Sequence, residues 1–416
     1  MMDRRSVYVV DPGFLPTTRQ MALAVADDVA AYFTPFAVRS GSGLAALPGI
    51  GREVQRRSLP GGVAAHVQPV AREAEALRLL LSRAPTSRLS GVQAFNDALL
   101  WRRNVEADAA AARALRAGAT VIGQYGGCLE SFKRARVLAG RTILDYPIAR
   151  VEYGQEVLRE EARLRPDFRD TLSGGDVPER YLARMRREEQ LADAIIVGSR
   201  FAARSFDGVV PPGRVHVVPY GVDVASFRPA DIERAVGPLR VLFAGTLTQR
   251  KGIGYVLDAM RLLDPARYAL TLAGPVLASG AGLRRYEGMF RHRAGVRPQD
   301  MPAVYRAADV LVLPSLVEGS APVVLEAMAS GLPVIVTENC GADAVRDGIE
   351  GFVVPVRSPE AIAARLEELT SPELRRRMGR AGRVRALEFT WDAFHREFRR
   401  AAGFDAIGGQ QEELAA

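Results

Sequence analysis

The stretch Leu313-Pro-Ser-Leu-Val-Glu-Gly-Ser-Ala-Pro-Val-Val-Leu-Glu-Ala-Met-Ala-Ser-Gly331 decides the reading of the chain. The apolar run Val310–Leu313 reads as a strand, Pro314-Ser315 as a turn, and the small residues from Gly319 to Ala321 as a loop feeding a helix that begins near Ala321 or Pro322. Ser320 is the expected N-cap, and Pro322 sits in the first turn, where a missing backbone N–H costs nothing. The remaining N–H groups at that end have no intrahelical partner. Together with the positive end of the helix dipole they make a natural seat for a phosphate group.

Glu318 and Glu326 flank this seat. Carboxylates repel phosphate but accept strongly from hydroxyl groups, so a ligand with hydroxyls at both ends and phosphates between them fits, namely a nucleotide sugar. Spacing alone leaves a second reading open, in which the two are a loop acid and a helix acid stabilised by the dipole.

The order Pro314-Ser315, Glu318-Gly319, Glu326-Ala-Met-Ala329 and Gly331-Leu-Pro-Val334 resembles the E-x7-E signature of retaining glycosyltransferases of family 4. The resemblance implies the GT-B fold: an α/β chain of two Rossmann-like, doubly wound domains facing a central cleft, with a C-terminal helix crossing back to the first domain. It further implies that Glu318 faces the donor sugar's hydroxyls and Glu326 the ribose diol. The backbone through Gly319, Ser320, Ala321, Pro322, Val323 and Val324 would line the sugar and diphosphate.

A second motif lies upstream. Leu239-Arg-Val-Leu-Phe-Ala244 reads as a strand of the parallel, doubly covered kind, followed by Gly245-Thr-Leu-Thr-Gln-Arg-Lys-Gly252 and a helix over 255–263. The same family carries G-R-L-x-x-x-K-G here, whose Arg and Lys bind the donor diphosphate. Lys251 carries over directly, with Gly245 beside the donor, whereas Thr246 stands where the Arg is expected. Arg250 is either the replacement charge or a solvated surface residue. The stretch Gly295-Val-Arg-Pro-Gln-Asp-Met301 resembles the family's loop toward the nucleobase, which makes Val296 and Arg297 candidate base contacts.

The first part of the chain resembles the family less. Ser6–Val10 reads as a strand, then the turn Asp11-Pro-Gly13, a helix over 18–32 and a second strand over 36–39. Gly41-Ser-Gly43 with Ala46 loosely matches a dinucleotide fingerprint, which Pro48-Gly49 contradicts by arriving before any helix can form. Helices are expected over 73–81 and 93–116, strands over 120–123 and 141–145, and helices over 151–164 and 177–192. A strand over 194–197 and a Ser199-led helix follow, then a strand over 215–218. Ligands of open α/β sheets sit beyond the carboxyl ends of strands, so Gly126, Gly127 and Asp145 are cleft candidates, with turn glycines and a strand-end acid as the plainer reading. His66 is the one histidine of four in an irregular part of this region, and is a weak match to a first-domain histidine of the family. Domains are expected at 1–228 and 229–388, with 389–416 the returning aromatic helix and tail.

Composition is that of an ordinary soluble globular protein: 416 residues, 48% hydrophobic and 25% charged, suit two cores. Two cysteines without metal or disulfide spacing suit a reducing compartment. The N-terminus has no signal-peptide pattern and no segment has about 20 uninterrupted apolar residues, so the expected location is cytoplasmic. A net charge of +8 favours anionic partners without choosing among them.

The expectation is a metal-independent glycosyltransferase of hexosyl type. It would move a sugar from a nucleoside-diphosphate donor to a saccharide or lipid-linked acceptor in cell-surface polysaccharide or glycolipid synthesis, with no further cofactor. The Arg-rich helices are compatible with peripheral docking at the inner face of the cytoplasmic membrane, and no nucleic-acid motif is present. A sugar-nucleotide epimerase or phosphorylase on the same scaffold, and an inactive binding scaffold, are the competing classes.

Overall fold

The structure is a computed structural model and describes residues 6–41, 57–83, 90–172, 176–230 and 237–405. Two parallel sheets carry it. The first contains β1 (Val7–Val10), β2 (Val29–Thr34), β5 (Val67–Pro69), β6 (Thr120–Gln124), β7 (Arg141–Asp145), β8 (Ala194–Val197) and β9 (Val215–Val217), in the order β5-β2-β1-β6-β7-β8-β9. Two-residue strands β3 (Val38–Arg39) and β4 (Ser58–Leu59) pair separately. The second sheet contains β10 (Leu239–Ala244), β11 (Tyr268–Ala273), β12 (Phe290–Arg293), β13 (Val310–Leu313), β14 (Val334–Thr337) and β15 (Gly351–Val354), in the order β12-β11-β10-β13-β14-β15.

Each order reverses direction once, between β1 and β6 and between β10 and β13. These reversals leave a crevice at the carboxyl ends, because the chain leaves neighbouring strands toward opposite faces of the sheet. The central strands are apolar on both faces since helices cover both. Val310, Leu311, Val312 and Leu313 are all fully buried.

The longer helices are α1 (Pro16–Ala24), α2 (Arg72–Arg83), α3 (Ser90–Ala114), α4 (Leu129–Val137), α5 (Val151–Leu164), α6 (Glu179–Leu191), α7 (Ile253–Arg261), α8 (Pro322–Ala329), α9 (Pro359–Glu368), α10 (Pro372–Ala386) and α11 (Trp391–Ala401). Thr390 caps α11 by accepting from the Ala393 N–H. The helix then lays Phe394 and Phe398 into the first sheet's core beside Val7, Val9 and Ile196. Burying each ring contributes roughly 1.5–3 kcal/mol, so the C-terminal helix is held firmly on the first sheet. Arg399 adds a bond to the Ala24 carbonyl at 3.1 Å, and His395 lies 2.8 Å from the Gln20 side-chain oxygen.

Several expectations are corrected. The helix expected over 18–32 stops at Ala24, and Val29-Ala-Ala-Tyr-Phe-Thr34 is strand β2, paired on both sides within the first sheet. Its β-branched and aromatic residues are fully enclosed by the sheet, so burial outweighs local pattern. Of the strand expected over 36–39, only Val38 and Arg39 pair. The edge strand β12, Phe-Arg-His-Arg, was not anticipated because an exposed polar edge carries no apolar alternation. The glycine match beginning at Gly41 and the 229–238 linker lie largely outside the described residues, as does the tail beyond 405. No helix among the described residues is long and apolar enough to cross a membrane.

Candidate active site

The crevice between β10 and β13 brings the two motifs together. After β10 the chain turns at Gly245, where φ is 122°, and again at Gly252, where φ is 76°. A side chain on Gly252 would meet the Pro314 carbonyl oxygen at 2.2 Å, so glycine lets the two motif loops touch. The loop after β13 is pinned in return. The Leu316 N–H donates to the Arg250 carbonyl at 2.8 Å, and Asn339 donates to the Leu316 carbonyl at 2.9 Å.

Within this frame Lys251 Nζ stands 2.6 Å from Glu318 Oε1, and the Arg250 guanidinium 2.9 Å from the same oxygen. Arg250 also donates to the Val317 carbonyl at 2.8 Å. Burial pushes the Glu318 carboxyl upward, but Lys251 and then Arg250 outweigh it and hold the group below the usual carboxylate range. Arg250 is therefore built into the cluster rather than solvated. Thr246 is half-buried in the loop between Gly245 and the cations.

The helix α8 begins at Pro322 as anticipated, but Ser320 does not cap it. Ala321 occupies the cap position in extended conformation, and no side chain accepts from the first turn. Val323 and Val324 form that turn, and the Val324 N–H already meets the Ala321 carbonyl at 3.0 Å. In the second turn Glu326 accepts from the Tyr305 hydroxyl at 2.7 Å. Burial raises the Glu326 carboxyl, with Tyr305 pulling the other way.

Gly319 is the tightest point of the site. A Cβ there would lie 2.0 Å from the Pro147 carbonyl oxygen, because the loop after β7 crosses directly over it. The Ala149 N–H donates to the Glu318 carbonyl at 3.3 Å, and the Ser199 hydroxyl donates to the Gly319 carbonyl. Sequence reasoning missed Ala149 and Ser199. Ser199 was read only as the start of a helix, whose Ala202 N–H it does cap, and the contacts of both residues with the loop after β13 arise only when the two sheets meet.

The other crevice, between β1 and β6, opens toward these loops. A cavity of about 920 Å³ has Gly13, Gln124 and Tyr125 on one wall and Arg250 and Val317 on another. The ring of Trp101 stacks on Tyr181 at 3.6 Å along its side. Arg78 and Arg103 also line it, and both converge on the buried Glu75, at 2.8 and 2.9 Å. Gly13 was noted only as a turn residue. Its place after the strand next to the reversal was the available signal, and its N–H donates to the Gln124 side chain at 2.9 Å.

The first-part candidates are corrected. Asp145 is 1% exposed and accepts from the hydroxyls of Thr17 and Thr18 at 2.6 and 2.5 Å, so it anchors α1 behind the cleft wall. Burial pushes its carboxyl up to about 7. Gly126 and Gly127 are buried, and the Gly126 N–H donates to Glu188, an acid that burial raises to about 8. These glycines shape the turn before α4 and do not face the cavity. His66 precedes the edge strand β5 at its amino end, and its carbonyl accepts from the Tyr32 N–H at 2.9 Å, so it belongs to the sheet's far side. Val296 and Arg297 follow edge strand β12, where Arg297 is exposed and paired with Asp300 at 2.6 Å.

Comparison with known proteins bears on this geometry. Residues 238–371 match the family described as Glycosyl transferases group 1. D-inositol 3-phosphate glycosyltransferases of Segniliparus rotundus and Streptomyces scabiei are each 34% identical, over 249 and 255 residues, covering 54% and 53% of this chain and 55% and 56% of theirs. The chain thus spans about half the length of the curated relatives it matches. Among solved structures, sucrose-phosphate synthase from Thermosynechococcus elongatus superposes with a TM-score of 0.63 at 19% identity, covering 99% of this chain and 100% of that one. Anabaena HepE in complex with UDP superposes with a TM-score of 0.62 at 12% identity, covering 96% and 99%. With its two parallel sheets and returning helix, the chain has the α/β GT-B fold of these glycosyltransferases, and its group 1 match falls on the second sheet, which carries Lys251 and Glu318.

Proposed function

We propose that the protein is a retaining glycosyltransferase of family 4 that moves a sugar from a nucleoside-diphosphate sugar to a hydroxyl group. The observation that carries this reading is the cluster of Lys251, Arg250 and Glu318 at the reversal between β10 and β13, whose Arg250 lines a cavity reaching the opposite reversal. In the reaction the acceptor oxygen bonds to the anomeric carbon while the bond from that carbon to the diphosphate breaks. The acceptor proton passes to the departing phosphate oxygen, leaving a glycoside and a nucleoside diphosphate.

Negative charge grows on the diphosphate as the bond breaks. Lys251, Arg250 and the uncapped start of α8 supply a fixed positive field there, the kind of preorganisation that commonly contributes most to catalysis. On this reading a bound donor takes over the cations, and Glu318 turns to the sugar hydroxyls. Turnover is then expected to persist in EDTA.

The cavity beside Arg250 is the natural place for the acceptor. The curated relatives are named for inositol 3-phosphate, and arginines line this cavity, so a phosphorylated cyclitol is the acceptor to try first, with saccharide and lipid-linked acceptors next. A thermal-shift screen of UDP-, GDP-, ADP- and dTDP-sugars, followed by an acceptor assay on the hit, tests the proposal. Stabilisation by one donor and acceptor-dependent release of its diphosphate are expected. Conversion of the donor to an epimer without acceptor, or no stabilisation by any donor, would overturn it.

A further inference from the structure

We infer that Glu161, from the first half of the chain, is a positioning residue for the donor-loop cations and acts on them through Gln249. The inference rests on the proposed role of Lys251 and Arg250 at the donor diphosphate.

Helix α5 turns two parts of one face to different tasks. Gly154 and Leu158 line the large cavity, and one turn further on Glu161 is fully buried. Glu161 Oε1 accepts from the Gln249 side-chain amide at 2.7 Å and from the Tyr255 hydroxyl at 2.7 Å, while Oε2 accepts from Arg357 at 2.9 Å. Gln249 immediately precedes Arg250 and Lys251 and is itself fully buried. Its backbone N–H donates to the Thr171 hydroxyl at 3.0 Å, and its side-chain oxygen accepts from the Gly254 N–H at 2.9 Å. Two of these contacts, those with Glu161 and Thr171, thus come from the segment 151–172 of the first half.

That segment travels with the second sheet. Phe168 is fully buried in the second core, so close that a Cβ on Gly254 or Gly282 would lie 2.8 or 2.7 Å from its ring. Arg357 holds φ at 62°, a strained conformation for a residue other than glycine, and from there reaches both Glu160 and Glu161. A buried carboxylate with three donors is a rigid fixture, since losing it leaves an amide and a hydroxyl buried without partners. The step from Gln249 to Arg250 is one peptide bond, so the grip on Gln249 fixes where the cations start.

A purely structural brace would support every part of the donor site alike, whereas a positioning residue acts on the diphosphate alone. NMR titration of wild type, Glu161→Ala and Glu161→Gln with UDP, GDP and ADP, and with uridine, guanosine and adenosine, separates the two. For the diphosphate that wild type binds, Glu161→Ala is expected to weaken binding about tenfold, as a displaced binding group does, while its nucleoside binds as before. Glu161→Gln, which keeps an acceptor for Gln249, is expected to recover part of the loss. Unchanged diphosphate binding in both variants would overturn the inference, and so would a parallel fall for nucleoside and diphosphate. If Glu161→Ala does not fold, the same comparison on Glu161→Gln decides. A wild type that binds none of the three diphosphates refutes the donor-site reading itself, a result distinct from either.

Discussion

Lys251 Nζ and Glu318 Oε1 lie 2.6 Å apart, so the two residues expected at different parts of the donor hold each other. A carboxylate that is 8% exposed needs such a partner, and the lysine has a flexible stem with Gly245 leaving room beside it. Donor binding is then an exchange of partners, in which the diphosphate replaces the carboxylate on the lysine. Lys251→Ala is expected to lower kcat by at least about tenfold, the modest end of what removing one charge-stabilising group does. Steady-state turnover close to wild type in that variant would remove Lys251 from the diphosphate.

Asp145 titrates in the opposite sense to Glu318. Its carboxyl is pushed up from 3.8 to about 7 by burial, so the folded protein holds the proton more tightly than the unfolded chain. The stability it contributes is fully present below the unfolded value and is lost as pH rises through about 7. Asp145→Asn keeps an acceptor for Thr17 and Thr18 without the charge. Its melting temperature is expected to fall less than that of wild type between pH 4 and pH 7, and to match or exceed it at pH 8. Parallel melting curves for the two proteins across that range would show that Asp145 titrates normally.

Apart from its polar edge strand β12, the second sheet was legible in the sequence because its inner strands are apolar on both faces and its motifs are contiguous. The run Leu239–Ala244 and the run Val310–Leu313 each became the strand read from them. The pairing of Lys251 with Glu318 was half legible: both residues were singled out, but their contact depends on Gly252 letting two loops touch 67 residues apart in sequence. The first sheet was less legible where burial overrides pattern. Val29–Thr34 continues an alanine-rich helical stretch and still forms a strand, and Asp145 sits at a strand end yet points to α1. The contacts of Ala149, Ser199 and Glu161 with the second half arise only where the two sheets meet, for which no local spacing exists.

Gly319 makes that meeting testable. A methyl group there would lie 2.0 Å from the Pro147 oxygen and 2.7 Å from the Ile148 Cα, both backbone atoms that cannot rotate away. Gly319→Ala is expected to force the loop after β13 off the first sheet, destabilising the fold by about 1–3 kcal/mol as overpacking does. Turnover should fall further than stability at the assay temperature, because Glu318 moves with the loop. Wild-type melting and turnover together would show that the two sheets separate freely at this point.

Glu326 offers the sharpest test of how the donor lies. It is half-buried with the Tyr305 hydroxyl 2.7 Å away, and desolvation raises its carboxyl, so a ligand hydroxyl arriving there gains a strong acceptor in a sheltered place. If that hydroxyl belongs to the ribose, removing it from the ligand and removing the acid from the protein delete the same interaction. Wild type is expected to bind a nucleoside diphosphate about 10 to 100 times more tightly than its 2′,3′-dideoxy counterpart, the range for hydrogen bonds to a charged group. Glu326→Ala should bind the two within a few-fold of each other, with Tyr305→Phe between. Equal discrimination by wild type and Glu326→Ala, measured by calorimetry on both ligands, would place the ribose elsewhere and return Glu326 to a structural partner of Tyr305.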